Sequence, residues 1–340
     1  MNLKIRQWGG FGIYFVTVFI LGTVVLGSFF RVGINGNPPT MFRDMVDGTA
    51  HKPFVYRALA PAVIRVIERA IPDTIQSRIR DVALHGSVSA LFEYYHWEQK
   101  DAVAYVVTAG LLYLCLCLFV HAFGMLARTQ YHLPVWFLRA LSVVALAGLP
   151  CFFRYYSYLY DFPHLMLFCY ALALMYREKW YYYFGLFFLT CLSKETAVLL
   201  PMVYILYFRS EWRTAFFKLA VGIHGLIFVG VKLGLFLAFR ENPGGSLEFH
   251  LGHNLTLLPY SFAQLGMWVF MVVLCAWRWY EKPIFLRDAV WMLLPLFGLT
   301  FWFGLLDEYR DYYEVYPVIL LLMVPAVAEF LRVPVSCKNK

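Results

Sequence analysis

The stretch LTCLSKETAVLLP, residues 189–201, sets Lys194 beside Glu195 inside a run from Trp180 to Phe208 that is otherwise almost wholly apolar. An ion in hydrocarbon is costly and marks a functional place more often than a neutral one does. Read as one helix, the run buries both charges in the middle of a membrane. Read as two short arms, 180–192 and 197–208, it turns back at the charged pair. Arms of 12 or 13 residues reach about 18–20 Å at 1.5 Å per residue, less than a hydrocarbon core about 30 Å thick. The turn then sits about 10 Å below the outer surface by that rise. Charged, non-helical backbone at that depth is tolerated only inside protein or beside a water-filled cavity. The pair therefore implies a polar cavity open to one side. The plainer alternative is a mutual Lys194–Glu195 salt bridge that ties two helices together.

The rest of the chain fits a lipid setting. Of 340 residues, 61% are hydrophobic and 15% charged, against roughly a quarter charged in a soluble domain. Tyr and Trp crowd the ends of the apolar runs, as in an interfacial belt. The first run, 10–30, exceeds a signal-peptide core and no small-residue cleavage site follows, so it reads as a retained span. The net charge of +8 is scattered between apolar runs without a basic tract, which argues for charge held on one membrane face and against a nucleic-acid partner. Cys115 and Cys117 lack metal or redox spacing and read as small core residues.

Candidate spans are 10–30, 102–126, 134–150, 162–176, 180–192, 197–208, 219–239, 262–277, 289–305 and 315–331. The fold class is thus an all-α polytopic membrane protein of about ten transmembrane helices, one domain over 1–340 with no separate soluble domain. Lys and Arg in short loops set orientation. With Lys4 and Arg6 inside and a hairpin at 180–208, the inner side collects Arg128, Arg177, Lys179, Arg209, Arg213, Lys218, Arg278, Lys282, Arg287, Arg332, Lys338 and Lys340. The short outer loops keep only Arg154, Lys194, Arg240 and Arg310. A single long helix would split the basic clusters between faces. Both termini are therefore expected in the cytoplasm. The first outer loop, 31–101, opens with irregular RVGINGNPPT, and FVYRALAPAVIRVIERAI (54–71) reads as an amphipathic helix with Arg57, Arg65, Glu68 and Arg69 in one stripe. Such a helix lies in the headgroup plane, or else simply packs on the other spans.

Polar residues collect at the outer ends: Asp44, Asp47 and His51; Asp161 and His164; Lys194 and Glu195; Glu241, His250 and His253; and DEYRDYYEVYP, which holds Asp307, Glu308, Arg310, Asp311 and Glu314. The inner ends carry mainly basic anchors. No Ser-His-Asp signature, phosphate-cradling glycine loop or dinucleotide fingerprint occurs. His250 and His253 are expected to face water, and the sequon Asn254-Leu255-Thr256 falls in an outer loop.

PFVYRALAP after an early acid, YDFPHLMLF followed by LSKETAVLLP, and DEYRDYYEVYP before the last span resemble motifs of integral-membrane glycosyltransferases of the GT-C fold. The resemblance implies an inverting transfer of sugar from a polyprenyl-phosphate donor, outside the cytoplasm, in a bacterial inner membrane. Each motif is short, and the large C-terminal soluble domain of many members is missing from this sequence, which leaves the acceptor (glycan, lipid or protein) undefined. The chemistry suits the residues. A carboxylate must take the acceptor proton, and Asp44 is the first candidate, Asp47 its competitor. The departing lipid phosphate needs cations and donors, for which Lys194, Arg57, Arg310, His164 and Lys232 are candidates. Asp161, Glu195 and Glu308 would orient these cations or bind acceptor hydroxyls. No metal-ligand spacing stands out, so the reading requires no cofactor, although it leaves room for a divalent metal. The rival reading is a transporter or flippase of a polar or lipid-linked substrate, which would line a path with polar residues from both faces.

Overall fold

The computed structural model describes residues 3–245, 249–256 and 262–338. Lys340 and the side chains of Lys4 and Arg6, used above for orientation, lie outside the described part. Among the described residues the chain is all-α apart from one short strand pair. Helix α1 (Leu3–Val32) leads into a long loop that carries α2 (Phe42–Asp47), α3 (Leu59–Ala70), α4 (Asp73–Ala83) and α5 (Gly86–Tyr94). Then come α6 (Ala102–Gln130), α7 (Val135–Ala147), α8 (Asp161–Tyr176), α9 (Trp180–Ser193), α10 (Leu199–Tyr207) and α11 (Ala215–Ala238). The last third holds α12 (Leu251–Thr256), α13 (Phe262–Ala276), α14 (Ile284–Ala289), α15 (Leu293–Phe303) and α16 (Tyr316–Phe330). Strands β1 (Tyr131–His132) and β2 (Ser336–Cys337) pair antiparallel and tie the C-terminal tail to the end of α6. Among the described residues, five stretches are helical, long and apolar enough to cross a membrane, 11–32, 99–130, 135–152, 215–238 and 284–303, and four shorter apolar helices accompany them. This is a membrane protein by the length and composition of its helices.

The chain does double back at Lys194. Its backbone is extended there (φ −157°, ψ 155°), and α9 stops one residue earlier. Trp180 at the start of α9 meets Phe208, just past α10, with ring centroids 5.6 Å apart, and Tyr204 at the same spacing. A straight helix would hold Trp180 and Phe208 about 42 Å apart. One uninterrupted rod is excluded.

The turns sort to two ends of the bundle. At one end lie the loops after α1, before α8, between α9 and α10, after α11 and after α15, which share a cavity. At the other, residues near 128–132, 176–179, 207–211, 283–288 and 337–338 share two recesses. That second end is held by backbone satisfaction. Pro325 has no N–H to offer the turn before it, so the Leu321 carbonyl accepts instead from the Tyr131 hydroxyl at 2.9 Å. Lys282, expected to be a headgroup anchor, is buried and donates to the carbonyls of Leu274 (3.0 Å), Cys275 (2.8 Å) and Leu322. It closes the C-terminus of α13, where four carbonyls lack helical partners.

Two further expectations change. The segment 54–71 is not one amphipathic helix: 54–56 forms a single 3-10 turn and α3 starts only at Leu59. Arg57 falls at the joint and turns inward rather than joining the polar stripe. The buried side of α3, with Ala60 and Ile64, packs on α6, while Glu68 pairs with Arg43 at 3.1 Å. The sequon asparagine is likewise buried. Asn254 Nδ2 donates to the carbonyls of Thr300 (3.2 Å), Phe301 (2.9 Å) and Gly304 (2.9 Å), and its Oδ1 accepts from the Leu306 N–H (3.0 Å). One side chain caps α15 and leaves no amide free for a glycan. Asn254→Ala should therefore destabilise the fold by about 2–4 kcal/mol, since it orphans a buried N–H and several carbonyls, read as a lower melting midpoint in detergent. Mass spectrometry of protein from a glycosylation-competent host should find Asn254 bare.

Candidate functional site

The cavity at the first end has a volume of about 520 Å³. Asn37, Pro53, Phe54 and Arg57 of the long first loop form one side, and Tyr155, Tyr156 and Tyr158 a second. Lys194, Glu195 and Thr196 form the floor. The remaining wall is Leu296, Leu299, Thr300 and Phe303 of α15, continuing into Leu305, Glu308, Arg310 and Asp311, with His250 beside it. Charged groups therefore face an apolar helix across one space. Leu294, Phe297 and Trp302 of the same helix are exposed on the outside of the bundle.

Lys194 and Glu195 do not pair with each other. Successive side chains of extended backbone point to opposite sides, and each finds a partner from a distant segment. Lys194 Nζ lies 3.2 Å from Glu314 Oε1, just before α16. Glu195 Oε2 accepts from Arg57 Nε at 3.2 Å. Glu314 is fully buried and also accepts from the Thr196 hydroxyl, with His164 Nε2 at 3.0 Å from Oε1. A lone carboxylate could not stay ionised there; a buried charge persists only when paired and hydrogen-bonded.

Both arginines are clamped by aromatic faces. Arg57 lies over Tyr160 (4.5 Å to the ring centre) and Phe54 (5.2 Å), and it donates to the Tyr160 hydroxyl. Arg310 lies 3.8 Å over Tyr158, donates to the Tyr156 carbonyl at 2.9 Å and pairs with Glu308. Tyr158 and Tyr160 stack at 5.3 Å. Alternate residues of the 155–160 loop thus form a ladder that holds two guanidinium groups, each partly desolvated and attracted to ring faces. The side chain of Asp161 starts α8, accepts the Tyr158 N–H at 3.1 Å and stands 3.9 Å from Arg310, fixing that ladder.

The structure gathers Lys194, Arg57, Arg310, Glu195 and Glu308 on the cavity surface, with Asp161 and His164 directly behind. The other three named candidates stand elsewhere. Lys232 donates to the Cys191 carbonyl at 2.8 Å. The break at Lys194 deprives that carbonyl of its helical N–H, and the lysine replaces it. Asp44 is exposed, with its main-chain carbonyl taking the N–H groups of Thr49 (2.9 Å) and Ala50 (3.1 Å) and its side chain near the Thr49 hydroxyl. Asp47 is ion-paired with Arg43 at 2.8 Å. Neither lines the cavity. The sequence places Asp311 and Glu314 only among the outer-end residues, and nothing in it singles out the tyrosine ladder by role. The i, i+2 spacing of Tyr156, Tyr158 and Tyr160 was the available signal. His250 lines the cavity rather than facing open water. Among the described residues, no group of three or more His, Cys, Asp or Glu is placed to hold a metal ion.

Glu308 is the carboxyl whose acidity is most telling. Burial raises it, Arg310 pulls it down, and the like charges of Asp311 and Asp161 push it up again, leaving it at about 7. Because the folded value exceeds the ordinary 4.5, its stabilising contribution is complete below about pH 4.5 and is lost as pH climbs to about 7. The melting midpoint in detergent should fall across that interval, and Glu308→Gln should flatten this part of the slope. An unchanged slope in Glu308→Gln would show that other groups set it.

No family model, curated protein or solved structure matches this chain.

Proposed function

We propose that this protein is a membrane glycosyltransferase that takes a sugar from a polyprenyl-phosphate donor in the 520 Å³ cavity. The observation that carries the reading is the pairing of three cations, buried Lys194 and Arg310 and half-buried Arg57, with the apolar wall of α15 across one space. A phosphate on a long hydrocarbon chain needs those two surfaces side by side. The ten alternating segments then represent ten crossings, with the cavity end outside the cytoplasm and both termini inside a bacterial inner membrane.

In this mechanism the acceptor hydroxyl oxygen attacks the anomeric carbon while the bond from that carbon to the phosphate oxygen breaks. The electron pair leaves with the lipid phosphate, whose growing charge is met by Lys194, Arg57 and Arg310. The acceptor proton passes to a carboxylate. Glu308 suits this role: it lines the cavity, and an acidity near neutrality balances being deprotonated beforehand against accepting a proton readily. Asp311 is its neighbour in the lining, whereas Asp44 and Asp47 would need the first loop to close over the substrate. A flippase is less well supported. Apart from the α15 wall, the cavity takes its residues from loops and helix ends at one end of the bundle, and none from the turns near 128–132, 176–179 or 207–211.

Purified protein assayed with a panel of polyprenyl-phosphate sugars should consume at least one donor. Glu308→Gln should lower that rate by about 10²–10⁴-fold, the usual worth of a general base, and should abolish the rise in rate as pH passes through about 7. Asp311→Asn, Asp44→Asn and Asp47→Asn serve as competitors for the same role. Full activity in all four variants, or no donor consumed by the wild type, would remove the transferase reading.

A further inference from the structure

At the end of the bundle opposite the cavity lies an open recess of about 880 Å³ lined by Arg128, His132, Arg177, Lys179 and Lys338, with Thr129, Tyr176 and Cys337 between them. No carboxylate is among its lining residues. Its neighbour, about 380 Å³, shares Tyr176 and Lys338 but is balanced: Arg209 pairs with Asp288 at 2.8 Å, and Glu178 and Glu211 also line it. The first recess thus concentrates positive charge that the same surface neutralises a few residues away.

This concentration is built by the fold. Arg128 comes from the end of α6, Arg177 and Lys179 from the turn between α8 and α9, and Lys338 from the tail. The strand pair β1–β2 fixes the tail, and two more bonds hold Lys338 in place: its N–H donates to the Gln130 carbonyl and its Nζ to the Arg128 carbonyl, both at 2.8 Å. Arg128, Arg177 and Lys179 are solvent-exposed, so their mutual repulsion is modest and screened, and an anion seated among them would relieve it. The depth of the recess points to the source of that anion. His132 is followed closely by Trp136, and Lys179 by Tyr181 and Tyr182, and all three aromatic side chains are more than half exposed. Exposed Trp and Tyr at helix ends mark headgroup level, and basic pockets between helices at that level receive anionic headgroups.

We propose that this recess is a binding site for a phosphate-bearing anion, supplied by the headgroup of an acidic phospholipid and gripped by Arg128, Arg177, Lys179 and Lys338. It stands independently of the transferase reading, since it shares no residue with the cavity. Lys338 joins Arg128, Arg177 and Lys179 only when the tail is latched, so lipid binding and tail docking reinforce each other.

Thermal unfolding of the full-length protein in neutral detergent tests it, with phosphatidylglycerol, phosphatidylcholine or inorganic phosphate added as separate probes. Phosphatidylglycerol should raise the melting midpoint in a saturable manner, because a ligand bound only by the folded state stabilises it. Phosphatidylcholine should leave the midpoint unchanged. Arg128→Gln/Arg177→Gln/Lys179→Gln should weaken half-saturation by about tenfold or more, equivalent to 1.4 kcal/mol. Arg213→Gln/Lys218→Gln, at exposed basic positions outside the recess, should respond as the wild type does. If the triple variant does not fold, Lys179→Gln alone should weaken half-saturation by about threefold or more, about half that free energy, and an unweakened response would overturn the site. Equal responses to the two lipids, or equal losses in the triple and control variants, would overturn it too. A shift with inorganic phosphate in the wild type that the triple variant loses would overturn the lipid source and assign a soluble anion.

Discussion

The ion pair between Lys194 and Glu314 is the constraint on which the rest of the architecture depends. Lys194 follows a 14-residue helix and is only 7% exposed, and removing one partner of such a buried pair strands the other at a cost of about 3–5 kcal/mol. Satisfying Lys194 therefore brings the start of α16 against the turn between α9 and α10. Once they meet, Thr196 and His164 complete the shell around Glu314. The break that frees Lys194 also opens the last turn of α9, and Lys232 closes it from α11. A single helix interruption thus recruits three other helices.

The cavity is the other side of that arrangement. Because Lys194 and Glu195 diverge, the pair links two networks rather than cancelling itself. One runs to Glu314 and His164; the other runs through Arg57 to Tyr160 and the tyrosine ladder that carries Arg310. The cations are held in place by carboxylates and, for both arginines, by ring faces, so they keep little side-chain freedom. Aromatic clamping also permits burial that water-seeking guanidinium groups would otherwise resist.

The two ends of the bundle follow different electrostatic plans. At the cavity end, Arg57, Lys194 and Arg310 are each matched by a carboxylate, which tunes acidity and geometry together. At the opposite end Arg209 and Arg278 pair with carboxylates, but backbone carbonyls accept from Lys282 and Lys338, so net positive charge remains. That asymmetry accords with a protein whose ends meet different surroundings. It was visible in outline from the distribution of Lys and Arg between loops.

The sequence by itself determined the membrane class, the all-α architecture and the reversal at Lys194. These rest on local and additive quantities: run length, charge cost and the reach of 13 residues of helix. It also placed Lys194, Arg310, Glu195 and Glu308 at span ends and Arg57 in the first loop, all on one inferred face, together with Asp44, Asp47 and Lys232, which do not line the cavity. Which charge meets which was settled only by tertiary structure. Glu314 as the partner of Lys194, Lys232 as a helix cap, Arg57 leaving its amphipathic stripe and Asn254 filling the end of α15 all depend on distances between segments far apart in the chain. A polar side chain in an apolar run announces that it needs a partner, but its own sequence does not name one. The packing of helices makes that choice, because only the folded arrangement fixes which orphaned donor and acceptor lie within about 3 Å of each other.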